Sequence, residues 1–101
     1  MKNKIKAVHE FHKAFGLGIQ NSPTAQLEFN RNLLRYKLMR EENEEYLDAA
    51  NNRDLVEVAD ALGDMLYILC GTIIEHGMQH KIEEVFDEIQ KSNMSKLGAD
   101  G

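Results

Sequence analysis

Proline occurs once in this chain of 101 residues, at Pro23, and cysteine once, at Cys70. So little punctuation, with glycine clustering at Gly16, Gly18, Gly71, Gly77 and Gly98, leaves long uninterrupted segments, and these favour helices. A single thiol cannot close a disulfide within one chain, which excludes a secreted disulfide scaffold. Its place in an apolar run reads as a buried, inert cysteine in a reducing compartment. That run, Met65 to Ile74, is the longest in the sequence and falls far short of the roughly 20 residues a membrane span needs. At the N-terminus Lys2, Lys4 and Lys6 are followed by Glu10 and His12 before any apolar block, so no signal peptide is expected. The sequence reads as a soluble, cytoplasmic, single domain over 1–101, with no membrane partner.

What the chain has in excess is negative charge. Twelve Lys and Arg against 17 Asp and Glu give −5, the wrong sign for a general nucleic-acid binder. Residues 41–64 hold nine of the acids and one base, a local −8, while the remainder carries +3. The surplus is therefore local.

Apolar spacing supplies the architecture. Ile5, Val8, Phe11, His12 and Phe15 recur at three and four residues, predicting a first helix that Gly16 and Gly18 stop. A loop over 17–26 precedes a second helix from Gln26 to Ala50. Asn51-Asn52 ends it, Asp54 is placed to cap a third helix running to His76, and a fourth spans His80 to Ser92. The segment 93–101 has no periodicity and is expected to be an irregular tail. The expected fold is all-α, a four-helix bundle-like arrangement built on a long antiparallel hairpin. Between Met65 and Ile74 the third helix is apolar on every side, which predicts burial all round. A chain this small has difficulty surrounding such a helix, so a homo-oligomer, dimer or tetramer, is expected. Phe11, Phe15 and Tyr67 read as core aromatics, and His12 as a packing histidine rather than a catalyst.

At about 100° per residue, Glu41, Glu42 and Glu45 fall within about 60° of Leu38 on the second helix, continuing its apolar stripe. On the third helix Glu57, Asp60 and Asp64 share one face, opposite Leu55, Leu62, Leu66 and Leu69. A tight turn makes the two helices antiparallel neighbours, so Glu41, Glu42, Glu45, Glu57 and Asp60 can converge. A pentapeptide such as Glu41-Glu42-Asn43-Glu44-Glu45 is by itself ordinary solvated helix surface. Acids aligned on the most apolar helix of the chain are not. Like charges about 4 Å apart repel by roughly 4 kcal/mol at an effective dielectric of 20, and a divalent cation removes that objection. An all-oxygen cluster without Cys or His suits Mg²⁺, with Mn²⁺ as substitute, over softer metals. The sequence has no Glu-x-x-His of a di-iron bundle, no zincin His-Glu-x-x-His, no calcium loop and no phosphate loop.

The order Glu41-Glu42-x-x-Glu45, then Glu57-x-x-Asp60, resembles the motif of the all-α nucleoside triphosphate pyrophosphohydrolases, which include MazG, dimeric dUTPase, dCTPase and phosphoribosyl-ATP pyrophosphohydrolase. The opening Val8-His9-Glu10-Phe11-His12-Lys13-Ala14-Phe15-Gly16, the core from Asp54 to Tyr67 and the closing stretch from Phe86 to Gly98 look like the compact MazG-like branch. In one place the chain departs from MazG, with Ala61 in front of Leu62-Gly63-Asp64, so Glu57 and Asp60 carry over better and Asp64 is a supporting ligand.

This resemblance implies Mg²⁺-dependent hydrolysis of a (d)NTP to (d)NMP and pyrophosphate, in nucleotide-pool house-cleaning. It implies metal held by Glu42, Glu45, Glu57 and Asp60, with Asp64 in support, and Glu41 orienting or deprotonating the attacking water or ligating directly. Arg35, near +60° on the second helix's wheel, and Lys96 are the cations available for phosphate, and Asn93 for a base or ribose edge; pairing with a surface acid for Arg35, and plain solvation for Lys96, are the plainer readings. Two alternatives remain open: phosphoribosyl-ATP hydrolysis in histidine biosynthesis, and a non-catalytic helical module whose acidic face docks a basic partner.

Overall fold

The computed structural model describes residues 1–100, as four helices: α1 (Lys2–Ala14), α2 (Arg31–Asn51), α3 (Leu55–Glu75) and α4 (Ile82–Asp100). Among the described residues there is no strand, and the all-α expectation is met.

Helix ends follow local chemistry. α1 buries Ile5, Val8 and His12 along one stripe and stops where Gly16 takes the left-handed region at φ 66, letting Leu17 N–H reach back to the His12 carbonyl at 2.8 Å. α2 starts at Arg31, later than the Gln26 expected. Phe29 and Asn30 adopt φ 52 and 59, which a continuing right-handed helix cannot accommodate. Asn32 fixes the preceding turn, accepting from Leu27 N–H at 2.8 Å and donating to the Ala25 carbonyl at 3.2 Å. Asp54 caps α3 as anticipated, its Oδ1 accepting from Glu57 N–H at 3.1 Å.

α2 and α3 form the antiparallel hairpin, and α1 packs on α3. The apolar core is Ile5, Val8, Cys70 and Ile74, with Ile19, Leu66 and Ile82 packed against it. Cys70 is buried as expected, and that burial pushes its thiol pKa upward. Two packing expectations need correction. α3 is buried all round only in its last turns, where Cys70, Gly71, Ile73 and Ile74 are all covered, while nearer its middle Leu62 and Leu69 stand 51% and 43% exposed. Phe11, Phe15 and Tyr67 are a surface cluster rather than core, Phe11 stacking on Phe15 at 4.5 Å between ring centroids and meeting Tyr67 edge-on at 5.6 Å. Helical spacing identified the stripe but not how much of it one copy of the chain can cover.

The tail expectation is also overturned: α4 begins at Ile82 and continues through residues 93–100, Gly101 lying outside the described residues. Periodicity reports a buried face, whereas a helix continues along an exposed stretch of ordinary helix formers and tolerates a single glycine, here Gly98, at a cost of about 1 kcal/mol. Met94 and Leu97 are exposed, so no periodic signal was required for this stretch to be helical. α4 meets the core cluster through Ile82 in its first turn. The chain is accordingly open in shape. Its radius of gyration is 16.0 Å, against about 13 Å for a compact domain of this length. No described helix is long and apolar enough to cross a membrane.

Candidate active site

The hairpin sets acids from both helices against each other midway along its length. Glu42 and Glu45, one turn apart on α2, and Asp64 on α3 each place a carboxylate oxygen within 4.8 Å of the other two. Glu42 is half-buried, and its Oε2 is shielded from solvent with no hydrogen-bond partner. Burial is the main cause of an upward shift in the Glu42 carboxyl pKa, followed by the close approach of the Glu45 carboxylate and by the charges of Asp64 and Asp60. Asp60, exposed one turn earlier on α3, lies outside the trio but near enough for its charge to add to that shift. Glu57 and Glu41 are exposed and lie outside the close-set trio.

Asp64, ranked behind Glu57 and Asp60 by sequence pattern, is the α3 acid placed closest to the α2 pair. The reason is register. In an antiparallel pair, Glu42 sits level with Asp64, while Glu57 belongs to the capped first turn of α3 near the closed end.

An oxygen atom out of reach of water and without a donor is costly unless something supplies positive charge. No Lys or Arg does so here: Arg40 pairs with Glu44 at 3.3 Å on the exposed side of α2. The donor set is all carboxylate, from two rigid helices, and so fits a hard divalent cation of the Mg²⁺ or Mn²⁺ kind.

The three predicted substrate contacts sit elsewhere. Arg35 is buried, its Nε donating to Thr72 Oγ1 at 3.0 Å and its Nη2 to the Ile68 carbonyl at 2.7 Å, with Nη1 2.9 Å from Glu75 Oε2. Its guanidinium is committed within the hairpin, and the sequence reading of a phosphate-facing Arg35 gives way to an internal ion pair. Burial lowers its pKa, and Glu75 opposes that effect. Asn93 and Lys96 are exposed on α4, with Lys96 Nζ donating to Asn93 Oδ1 at 3.1 Å. His12 is the packing histidine expected, its Nδ1 2.9 Å from the Gly18 carbonyl oxygen.

Sequence reasoning missed Arg31 and Glu75. The two carboxylate oxygens of Glu75, 2% exposed, accept from Arg31 Nε at 2.5 Å and Nη2 at 2.9 Å, beside Arg35. A signal was available. Glu75 lies 18 residues after Glu57, five full helical turns, so it continues the acid stripe of α3, and Arg31 continues the Leu38 stripe of α2.

A family model described as phosphoribosyl-ATP pyrophosphohydrolase matches residues 8–93, a span that contains the whole hairpin and all the acids above. The chain belongs to the phosphoribosyl-ATP pyrophosphohydrolase family. That family lies within the MazG-like nucleoside triphosphate pyrophosphohydrolase superfamily, in agreement with the resemblance carried by the two acidic motifs. The phosphoribosyl-ATP pyrophosphohydrolase match includes Arg35 and Asn93 and stops short of Lys96. The chain is also similar to uncharacterized protein L479 of Acanthamoeba polyphaga mimivirus, 33% identical over 96 residues. The match covers 91% of this chain and 38% of that protein, so the chain spans well under half the length of its viral relative.

Proposed function

We propose that this chain is a Mg²⁺-dependent nucleotide pyrophosphohydrolase that cleaves a (d)NTP to (d)NMP and pyrophosphate in nucleotide-pool house-cleaning, with Mn²⁺ able to substitute. The observation that carries the proposal is the trio Glu42, Glu45 and Asp64 converging from two helices, with one Glu42 oxygen buried and unpaired. A face that merely docks a basic partner has no use for a carboxylate oxygen withdrawn from solvent.

Glu42, Glu45 and Asp64 would hold the cation, joined by Asp60 and, toward the closed end, Glu57. When bound, a divalent cation supplies charge neutralisation and Lewis-acid activation for attack on phosphorus. Glu41, exposed at the rim of the α2 stripe, is free to accept the proton of the attacking water. Asn93 and Lys96 stand on an arm, the exposed stretch of α4 over residues 90–98, from which they would serve a site of a second copy. A homo-oligomer fits the surface as well. The chain exposes 7715 Å², against about 5,800 Å² for a compact monomer of its mass.

Phosphoribosyl-ATP as substrate has support from the description of the matching family model, and the two substrate readings differ in one measurement. Pyrophosphate release with Mg²⁺ would be followed across canonical and modified NTPs, dNTPs and phosphoribosyl-ATP. Turnover of dNTPs supports the house-cleaning reading, turnover of phosphoribosyl-ATP alone replaces it, and no release from any of them removes both.

A further inference from the structure

The carboxylate trio has a mechanical problem whenever no cation is bound. Glu42 and Glu45 on α2 repel Asp64 on α3, so this level of the hairpin pushes its own helices apart. Two turns further toward the N-terminus of α2, the charges have the opposite relation. Arg35 reaches across to three groups on α3: the Ile68 carbonyl, Thr72 Oγ1 and Glu75 Oε2. Arg31 grips the same Glu75 through two bonds. Arg35 and Glu75 side chains are 8% and 2% exposed, so little water competes for these contacts.

The surrounding backbone is fitted to this crossing. A β-carbon on Gly71 would lie 2.6 Å from Arg35 Nη2 and 2.8 Å from His12 Nε2, so the absent side chain lets the guanidinium lie against α3. A β-carbon on Gly18 would lie 3.0 Å from Glu75 Oε1. Contacts at residues 68, 72 and 75 fix both the height and the rotation of α2 against α3. Arg35 and Glu42 are seven residues apart, about 20° from one face and roughly 10 Å along the axis. Slippage at Arg35 is therefore transmitted to Glu42, and Asp64 is one turn from Ile68.

We infer that the Arg31–Arg35–Glu75 clamp with Thr72 consists of positioning residues that hold the hairpin in the register at which Glu42, Glu45 and Asp64 converge, so that the cation site is preformed. This rests on the metal-site reading of the trio. Arg35 and Glu75 are spent on contacts within the hairpin, about two turns or more from the trio.

The test is Mn²⁺ titration of the metal-free full chain, followed by the electron paramagnetic resonance signal of free Mn²⁺, for wild type, Glu75→Gln, Thr72→Val and Val8→Ala. All are measured well below their unfolding midpoints. Val8→Ala weakens the α1–α3 core without touching the clamp and controls for general loss of stability. Glu75→Gln and Thr72→Val are expected to weaken Mn²⁺ binding about tenfold or more, the scale of supporting groups around metal ligands, with Val8→Ala near wild type. Restoring wild-type turnover at saturating metal in the clamp variants supports the inference further. Should Glu75→Gln fail to fold, Thr72→Val decides alone. Wild-type affinity in the clamp variants overturns the inference, as does equal weakening in Val8→Ala. A wild type that binds no Mn²⁺ overturns the metal-site reading instead, and this inference with it.

Discussion

The carbonyl of Ser22 packs so closely on Gly77 that a β-carbon there would lie 2.1 Å from its oxygen. Gly77 also adopts φ 68, which an L side chain rarely takes. The loop is tied to the end of α3 on either side of this contact, by Gln20 N–H to the Ile74 carbonyl at 3.2 Å and Thr24 N–H to the His76 carbonyl at 2.9 Å. Gly77→Ala must therefore displace the loop as well as strain the turn. We expect a loss of roughly 3 kcal/mol, combining left-handed strain with overpacking. Urea unfolding at constant slope measures it, and a loss below about 0.5 kcal/mol, the scale of a featureless surface site, contradicts the steric reading.

Removing an acid from the trio separates function from folding. Glu42→Gln, Glu45→Gln and Asp64→Asn should each reduce pyrophosphate release by about a hundredfold or more, since even supporting residues around a metal reach that scale. Metal-free Glu42→Gln should unfold at the same or a higher temperature than wild type, because a repelled and desolvated charge has been removed. Circular dichroism and calorimetry in chelator check the second half. A destabilised Glu42→Gln would mean that the carboxylate is an ordinary structural acceptor.

Cys70 gives the pH dependence. Burial raises its thiol pKa above the ordinary 9.0, so the native state favours the protonated form. The stability contributed by that preference is complete below the unfolded pKa and is lost as pH rises through the higher folded pKa. Cys70→Ala should therefore flatten the alkaline loss of stability seen in wild type. At neutral pH, labelling of native Cys70 by a thiol reagent should be slow and should track opening of the core, since the residue is 1% exposed. Rapid stoichiometric labelling would show an accessible thiol.

The uncovered apolar surface gives a fourth expectation. On α4, Phe86, Ile89 and Leu97 are 64%, 51% and 67% exposed, and on α3 Leu62 and Leu69 face outward. Sedimentation should find a species heavier than the 11.6 kDa chain. Phe86→Asp or Ile89→Glu should shift it toward the monomer, because a charge cannot be buried in an apolar interface without a partner. A wild type that sediments as a monomer at all concentrations removes the oligomer from the proposal.

The parts of this fold legible in the sequence are those set by local chemistry. Asp54 read as a cap because its side chain bonds within its own helix, and Gly16 read as a stop because only backbone freedom is involved. The acidic stripes were legible because helical spacing alone puts Glu42 beside Glu45. Choosing Asp64 over Glu57 required the register between two helices, which no single-helix wheel contains. Arg35 illustrates the same limit: its stripe was placed correctly, yet its partner Glu75 lies forty residues on, and their meeting depends on the height at which α2 crosses α3. Phe11, Phe15 and Tyr67 failed differently, since spacing ranks a face as apolar without saying how much surrounding chain is available to bury it.

Over residues 90–98 every residue of α4 is exposed in a single copy, and the hydrogen bonds of that stretch have little tertiary packing to support them. Its amides would exchange with solvent deuterium through openings that leave the hairpin intact, whereas those around Cys70 and Ile74 would wait for the core to open. If copies of the chain cover one another's arms, the arm becomes the part of the molecule whose order depends on concentration.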